Sequence, residues 1–271
     1  MKTENLEIDG GEILLVDKPA GVSSFGVVAQ VRRQLGEQAG YIEVKGRDGI
    51  VRQKRKKVKV GHTGTLDPFA TGLLILLVGK GTKRAGEFLK LDKEYIATIR
   101  LGEVSSTGDL EGEITPFVPT SGGELRVPSR TEVEKVVAGF VREIEQRVPN
   151  FSAVKINGQR AYKLARAGKM VEMPVRKVRI YEIEILGYEW PELMIRCKVS
   201  SGTYIRALGE DIGKALGVGG YLTSLRRTQV GEYKVDDAEK RLVLEDVGIG
   251  GDAREGSESR GGAKNDSTRE R

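Results

Sequence analysis

The stretch Gly61-His62-Thr63-Gly64-Thr65-Leu66-Asp67-Pro68-Phe69-Ala70-Thr71-Gly72 carries the residues best suited to chemistry. Its glycines permit tight backbone turns, and Pro68 drives Asp67 out of helical backbone angles. The apolar run Leu73 to Val78 follows directly and anchors the loop. The pattern predicts a carboxylate held on a rigid turn at a sheet end, a suitable mounting for a nucleophile. An Asp-Pro pair that merely starts a turn has the same local signature.

Ser200-Ser201-Gly202-Thr203-Tyr204-Ile205-Arg206 is the second constellation. The apolar spacing Leu208, Ile212 and Leu216 predicts an amphipathic helix over Tyr204–Leu216, with Arg206 in its first turn. A cation there opposes the helix dipole by a few tenths of a kcal/mol, roughly. Such a local mismatch points to a compensating carboxylate or phosphate, although a solvated arginine fits as well. Tyr95 alternates with Ala97, Ile99 and Leu101 along Glu94 to Leu101, a strand with one buried face. It could stack on a planar ligand or simply fill the core.

Cys197 and His62 are the only residues of their types, so neither a disulfide nor a zinc site of about four ligands can form. There is no Walker loop before Gly79-Lys80 and no nucleophile elbow. Carboxylate, tyrosine or arginine chemistry without a cofactor remains. The first ten residues are polar and acidic, unlike a secretory signal, and the longest apolar run is too short for a bilayer. A cytoplasmic protein is expected.

The net charge is +6, and Lys45 to Lys59 reads KGRDGIVRQKRKKVK, with Asp48 its one acid. Such a run suits a polyanion such as RNA, or forms a solvated loop or mobile hairpin. Elsewhere, Glu12–Val16 reads as a strand, and Ser23 or Ser24 as the cap of a helix bearing Val27, Val28, Val31 and Leu35. Helices are expected over Thr131–Phe140 and Gln159–Ala167, and strands over Val178–Tyr188 and Leu193–Val199 about a Trp190-Pro191 turn. Leu225-Arg226-Arg227-Thr228 offers two cations to phosphates, or is a charged strand. Irregular alternation of strands and helices predicts an α+β fold with a mixed sheet. From Gly248 the composition has almost nothing to bury, so a disordered polar tail is expected over 247–271, with the folded part ending near Asp246.

Taken together, Leu14–Pro19 with Gly21–Ser24, Gly61–Gly72, Lys93–Tyr95, Ser105–Asp109, Pro149–Ala153 with Gly158 and Ala161-Tyr162, Gly202–Arg206 and Leu225–Arg227 resemble the bacterial TruB-type tRNA pseudouridine-55 synthases. The resemblance covers nearly all of residues 1–246. It implies the pseudouridine synthase fold: a mixed central β-sheet, flanking helices and an active-site cleft across the sheet. It further implies Asp67 as catalytic aspartate, Arg206 as its partner and Tyr95 as the tyrosine that stacks on the target uracil. His62, Tyr204 and Leu225 fall at substrate-contacting positions. Residues 149–168 correspond to an RNA-binding thumb that guide-RNA-dependent relatives lack.

The implied reaction isomerises uridine-55 in the T-loop of transfer RNA after base flipping, with no cofactor, metal, guide RNA or membrane, and a monomer is the default expectation. Lys54, Arg55, Lys56, Lys57, Arg226 and Arg227 are the expected contacts to the RNA backbone. Two departures stand out. The basic insertion over 38–59 is longer than usual, and the tail replaces the C-terminal PUA-like module common in the family. A non-catalytic RNA-binding protein of the same fold, and a guide-dependent ribosomal RNA synthase, are the alternatives.

Overall fold

The run Thr71–Gly79 (TGLLILLVG) forms a strand buried almost throughout, because it has apolar layers on both sides. Leu74, Leu76 and Val78 face one cluster with the helical Val27, Val31, Leu208 and Ile212, and Leu73, Ile75 and Leu77 face a second with Phe88 and Val230. Two-residue side-chain periodicity splits a continuous apolar run between two faces in this way. The computed structural model describes residues 6–8, 11–45, 47–48, 50–119, 123–169 and 171–238. The expected end of the fold near residue 246 and the tail over 247–271 lie outside the described residues.

The chain opens with β1 (Leu6–Ile8), β2 (Gly11–Lys18) and α1 (Ser24–Gln38). A basic hairpin, β3 (Tyr41–Lys45) with β4 (Val51–Arg55), precedes β5 (Val60–His62) and β6 (Thr71–Gly79). After a 3-10 turn come α2 (Ala85–Leu89), β7 (Lys93–Leu101) and the small pair β8 (Glu103–Ser105) and β9 (Ile114–Pro116). Then follow α3 (Arg130–Ala138), β10 (Glu143–Arg147), β11 (Lys155–Ile156), β12 (Gln159–Arg160) and α4 (Ala161–Arg166). The long pair β13 (Val175–Glu189) and β14 (Glu192–Val199) leads to α5 (Ile205–Ala215), β15 (Gly220–Val230) and β16 (Tyr233–Lys234).

The main sheet runs β1-β2-β6-β15-β7-β14-β13-β10, with β5 on β6 and β16 on β15. Only β6 and β15 pair in parallel there, so the sheet is mixed and the fold α+β as expected. Gly72 makes that parallel pairing possible: its φ is +99°, and a Cβ there would overlap the Arg227 backbone.

One local reading changes, and one left open is decided. The helix expected over Gln159–Ala167 begins only at Ala161, because Asn157 (φ 48°) and Gly158 (φ 82°) turn a two-residue hairpin between β11 and β12. Asn-Gly between two short strands is the preferred sequence for that turn. The basic segment is a regular hairpin, since Tyr41↔Arg55 to Lys45↔Val51 pair in register. The Ser23 side chain caps α1, and Ser129 caps α3 through a capping box with Glu132.

Candidate active site

Asp67 is placed by contacts from the chain's first motif. The Ser24 hydroxyl donates to the Leu66 carbonyl (2.9 Å) and accepts from the Leu66 amide (2.8 Å). The Gly21 amide donates to the Pro68 carbonyl at 2.9 Å, and Ala70 closes the turn onto the Asp67 carbonyl at 3.1 Å. Lys18 is fully buried, and its Nζ donates to the carbonyls of Pro19, Val22 and Pro68 at 2.7–3.1 Å. Burial pushes Lys18 down to about 8, with Asp67 pulling the other way. A rigid carboxylate therefore follows from hydrogen bonds made 40 to 50 residues upstream, roughly the sequence distance of the Ser24 and Lys18 contacts.

Arg206 answers the mismatch noted at the start of α5. Its Nε lies 2.9 Å from Asp67 Oδ2, and Nη1 lies 3.3 Å from Asp109 Oδ2. The guanidinium also donates to the carbonyls of Thr107 (2.7 Å) and Phe151 (2.8 Å). Each charge-assisted bond is worth about 1.5–3 kcal/mol, which exceeds the dipole penalty of about 0.3–1 kcal/mol. The Arg206 guanidinium taken alone would lower the Asp67 pKa. The net direction is upward instead: desolvation dominates, Arg206 pulls it down, and Asp109 pushes it up.

These groups meet in a cleft of about 330 Å³ lined by Asp67, Tyr95, Tyr204, Arg206, Leu225 and Arg227, among others. The register explains the floor: on adjacent strands β7 and β15, Ala97 faces Leu225 and Tyr95 faces Arg227. Tyr95 is 8% exposed, so it belongs to both the core and the cleft wall. Tyr204 is held by Gln146, whose side chain accepts from the Tyr204 amide (2.8 Å) and donates to its carbonyl (3.0 Å). Desolvation raises the Tyr204 pKa. Ser152, Ala153 and Val154 bring the expected thumb element to the cleft, and its small core of Val148, Ala161 and Met173 packs on Tyr204.

The other expected residues lie elsewhere. His62 is half-buried where β5 enters the loop; its Nδ1 accepts from the Gly64 amide at 3.4 Å, and burial lowers its pKa. Lys54, Arg55, Lys56 and Lys57 are exposed on and beside the basic hairpin, with Arg55 ion-paired to Glu37 at 3.1 Å. The two expected phosphate contacts, Arg226 and Arg227, lie on opposite faces of β15, because adjacent strand residues alternate. Arg226 forms a two-point ion pair with Asp17 at 2.7 and 3.0 Å. Arg227 is 3% exposed and donates to the carbonyls of Leu73 (2.7 Å) and Gly64 (3.2 Å). Lys18, Asp109 and Gln146 were not singled out from the sequence. Gln146 had a usable signal, because it alternates in phase with Ile144 and Val148 on a buried strand face.

Residues 52–205 match the TruB family pseudouridylate synthase N-terminal domain, and residues 206–248 match the tRNA pseudouridylate synthase B C-terminal domain. The chain belongs to the TruB pseudouridine synthase family. Relatives of this TruB-family chain include the tRNA pseudouridine synthase B of Phocaeicola vulgatus, 45% identical over 84% of this chain and 88% of that protein. The tRNA pseudouridine synthase B of Francisella tularensis subsp. novicida is 42% identical over 91% of this chain and 73% of its own length. Among solved structures, a Cbf5-Nop10-Gar1 complex matches with a TM-score of 0.56 at 29% identity over 82% of this chain. This TruB-family chain spans about half (49%) of that matched chain. Among the described residues, no helix is long and apolar enough to cross a membrane.

Proposed function

We propose that this protein converts uridine-55 of the transfer RNA T-loop to pseudouridine in the Asp67 cleft. The observation that carries the reading is the Asp67–Arg206 ion pair at 2.9 Å, set beside Tyr95 and Leu225 in a cleft of about 330 Å³, which has room for a nucleobase. The reaction breaks the bond from N1 to C1′, turns the uracil and joins C5 to C1′. N1 gains a proton and C5 loses one, so no oxidant or reductant is consumed.

The target uridine leaves the T-loop stack and lies on the Tyr95 ring, with Leu225 as the apolar wall beside it. Asp67 in its ionised form either attacks as a nucleophile or removes a sugar proton. Arg206 orients Asp67 and offsets its burial. Tyr204, on the cleft lining, and His62, on the loop leading to Asp67, contact the substrate. Tyr95 is the candidate base at C5. Ser152 and Ala153 lining the cleft support residues 149–168 as the element that grips the T-arm directly. In this reading the enzyme acts without a guide RNA, as a monomer, in the cytoplasm.

The test is tritium release from a transfer RNA transcript labelled at uracil C5, with no guide RNA added. Wild type is run beside Asp67→Ala and beside a transcript lacking the T-loop uridine. Release by wild type alone, from the intact transcript alone, is the expected outcome. Tight binding without release would leave an RNA-binding protein and end the enzymatic reading.

A further inference from the structure

Two buried cations stand on the cleft floor, and neither is the ion-pair partner of Asp67, which is Arg206. Lys93 is 7% exposed and Arg227 is 3% exposed, and both line the cleft. They follow Tyr95 in the strand register: Lys93 lies two residues before Tyr95 on the same face of β7, and Arg227 is the direct cross-strand partner of Tyr95. The aromatic ring and both cations thus form one continuous patch.

Their surroundings leave positive charge over. Lys93 Nζ donates to the carbonyls of Leu89 (2.8 Å) and Leu91, and Arg227 donates to those of Leu73 and Gly64. These acceptors are neutral. Among the described residues, neither cation forms an ion pair with a carboxylate; Asp92, whose field reaches Lys93, accepts a hydrogen bond from Tyr181 at 3.2 Å. Asp67 on the opposite wall is matched by Arg206. An ammonium has three donors and a guanidinium five, so both keep N–H groups beyond these four contacts. Buried charges are ordinarily paired, and an enclosed pair of like charges calls for an anion.

We propose that Lys93 and Arg227 form a phosphate subsite within the cleft, which binds a phosphodiester flanking the flipped uridine. The inference rests on the reading of the cleft as a uridine site. Residues two apart on a strand are about 7 Å apart, the order of the span from a nucleobase to its own phosphate. The phosphate of a uracil stacked on Tyr95 is therefore within reach of Lys93. The two cations anchor the extruded nucleotide by its backbone while leaving its base edge uncontacted, so the anchor is indifferent to sequence.

The experiment is a charge-neutralisation cycle. A T-arm hairpin RNA is made with a methylphosphonate replacing the phosphodiester on the 5′ side, or on the 3′ side, of the target uridine. Binding and single-turnover tritium release are measured for wild type, Lys93→Met and Lys93→Arg. One of the two neutral linkages is expected to weaken wild-type binding by about tenfold, and the same linkage to cost Lys93→Met nothing further. The salt slope of Lys93→Met falls by about 1, and Lys93→Arg recovers sensitivity to the linkage. Wild type indifferent to both linkages, or a loss in Lys93→Met that simply adds to the linkage effect, overturns the subsite. If Lys93→Met fails to fold, the wild-type comparison of the two linkages decides alone. Failure of wild type to convert the unmodified hairpin strikes at the uridine reading instead, which separates the two claims.

Discussion

Arg206 Nε lies 2.9 Å from Asp67 Oδ2, and the same guanidinium holds Asp109 and the carbonyls of Thr107 and Phe151. One side chain from the first turn of α5 thus joins the Asp67 loop, the Ser105–Asp109 turn and the segment at Phe151. The site is set by tertiary contacts converging on a single cation, and its chemistry responds to any change in the charges around it.

Asp67→Asn separates function from stability. Burial raises the Asp67 pKa in the folded state above its unfolded value, so folding disfavours the ionised form. That penalty is absent below the unfolded pKa and complete above the folded one. The neutral variant is expected to lose activity on the order of 10⁴-fold. Its thermal midpoint should match wild type in acid and exceed it as pH rises toward neutrality. Calorimetry across pH checks this, and a midpoint that falls below wild type at neutral pH contradicts it.

The Asp109 charge is expected to shift the acid limb of the rate, adding to the upward push that burial gives Asp67. In the proposed reaction Asp67 acts ionised, so activity is expected to be lost as pH falls through its raised pKa. Asp109→Asn removes a like charge and leaves Arg206 to Asp67, so both effects lower the Asp67 pKa. The acid limb of single-turnover rate against pH is expected to move to lower pH. A limb that stays in place, or moves up, would show that Asp109 acts on Asp67 through geometry and not through charge.

Gly72→Ala tests the seam between β6 and β15. The new methyl meets the Arg227 backbone at a positive φ, a combined cost of about 2–5 kcal/mol. Gly21→Ala is the control: its φ of +80° is also positive, yet nothing lies within 4 Å of a Cβ there. Its cost should stay near 1–2 kcal/mol, roughly that of one left-handed residue. Urea denaturation of both variants measures the difference, and equal losses would remove the close approach as the reason for glycine.

Cys197 is inert while the protein is folded. It is fully buried on β14, and burial pushes its thiol up to about 12. Labelling by a thiol reagent should proceed only at the rate of unfolding and leave activity intact until then. Rapid labelling of native protein would refute the placement.

How far the site was legible depended on the range of the interaction. The Asp67-Pro68 turn, the Leu73–Val78 strand and the amphipathic α5 were readable, because backbone restriction and side-chain periodicity act over a few residues. The hairpin at Asn157-Gly158 was equally local; the helical spacing after it hid the turn signal. Lys18 was not readable: a lysine at a strand end looks solvated until the chain folds three carbonyls around its ammonium. Arg226 and Arg227 look interchangeable in sequence, and the pleat alone sent one to Asp17 and the other into the cleft.

By itself, then, the sequence determined which side chains could do chemistry and the rigid turn that carries Asp67, since both follow from residue type and near neighbours. The tertiary structure decided which of them meet. Irregularities in β15, between Leu222 and Ser224 and between Arg227 and Gln229, set its register against β7. A one-residue slip in that pairing would turn Leu225 and Arg227 to the other face, because strand side chains alternate. The packing of α5 against this sheet then carries Arg206 to Asp67, a contact that burial of the apolar face of α5 enforces and that no local pattern specifies.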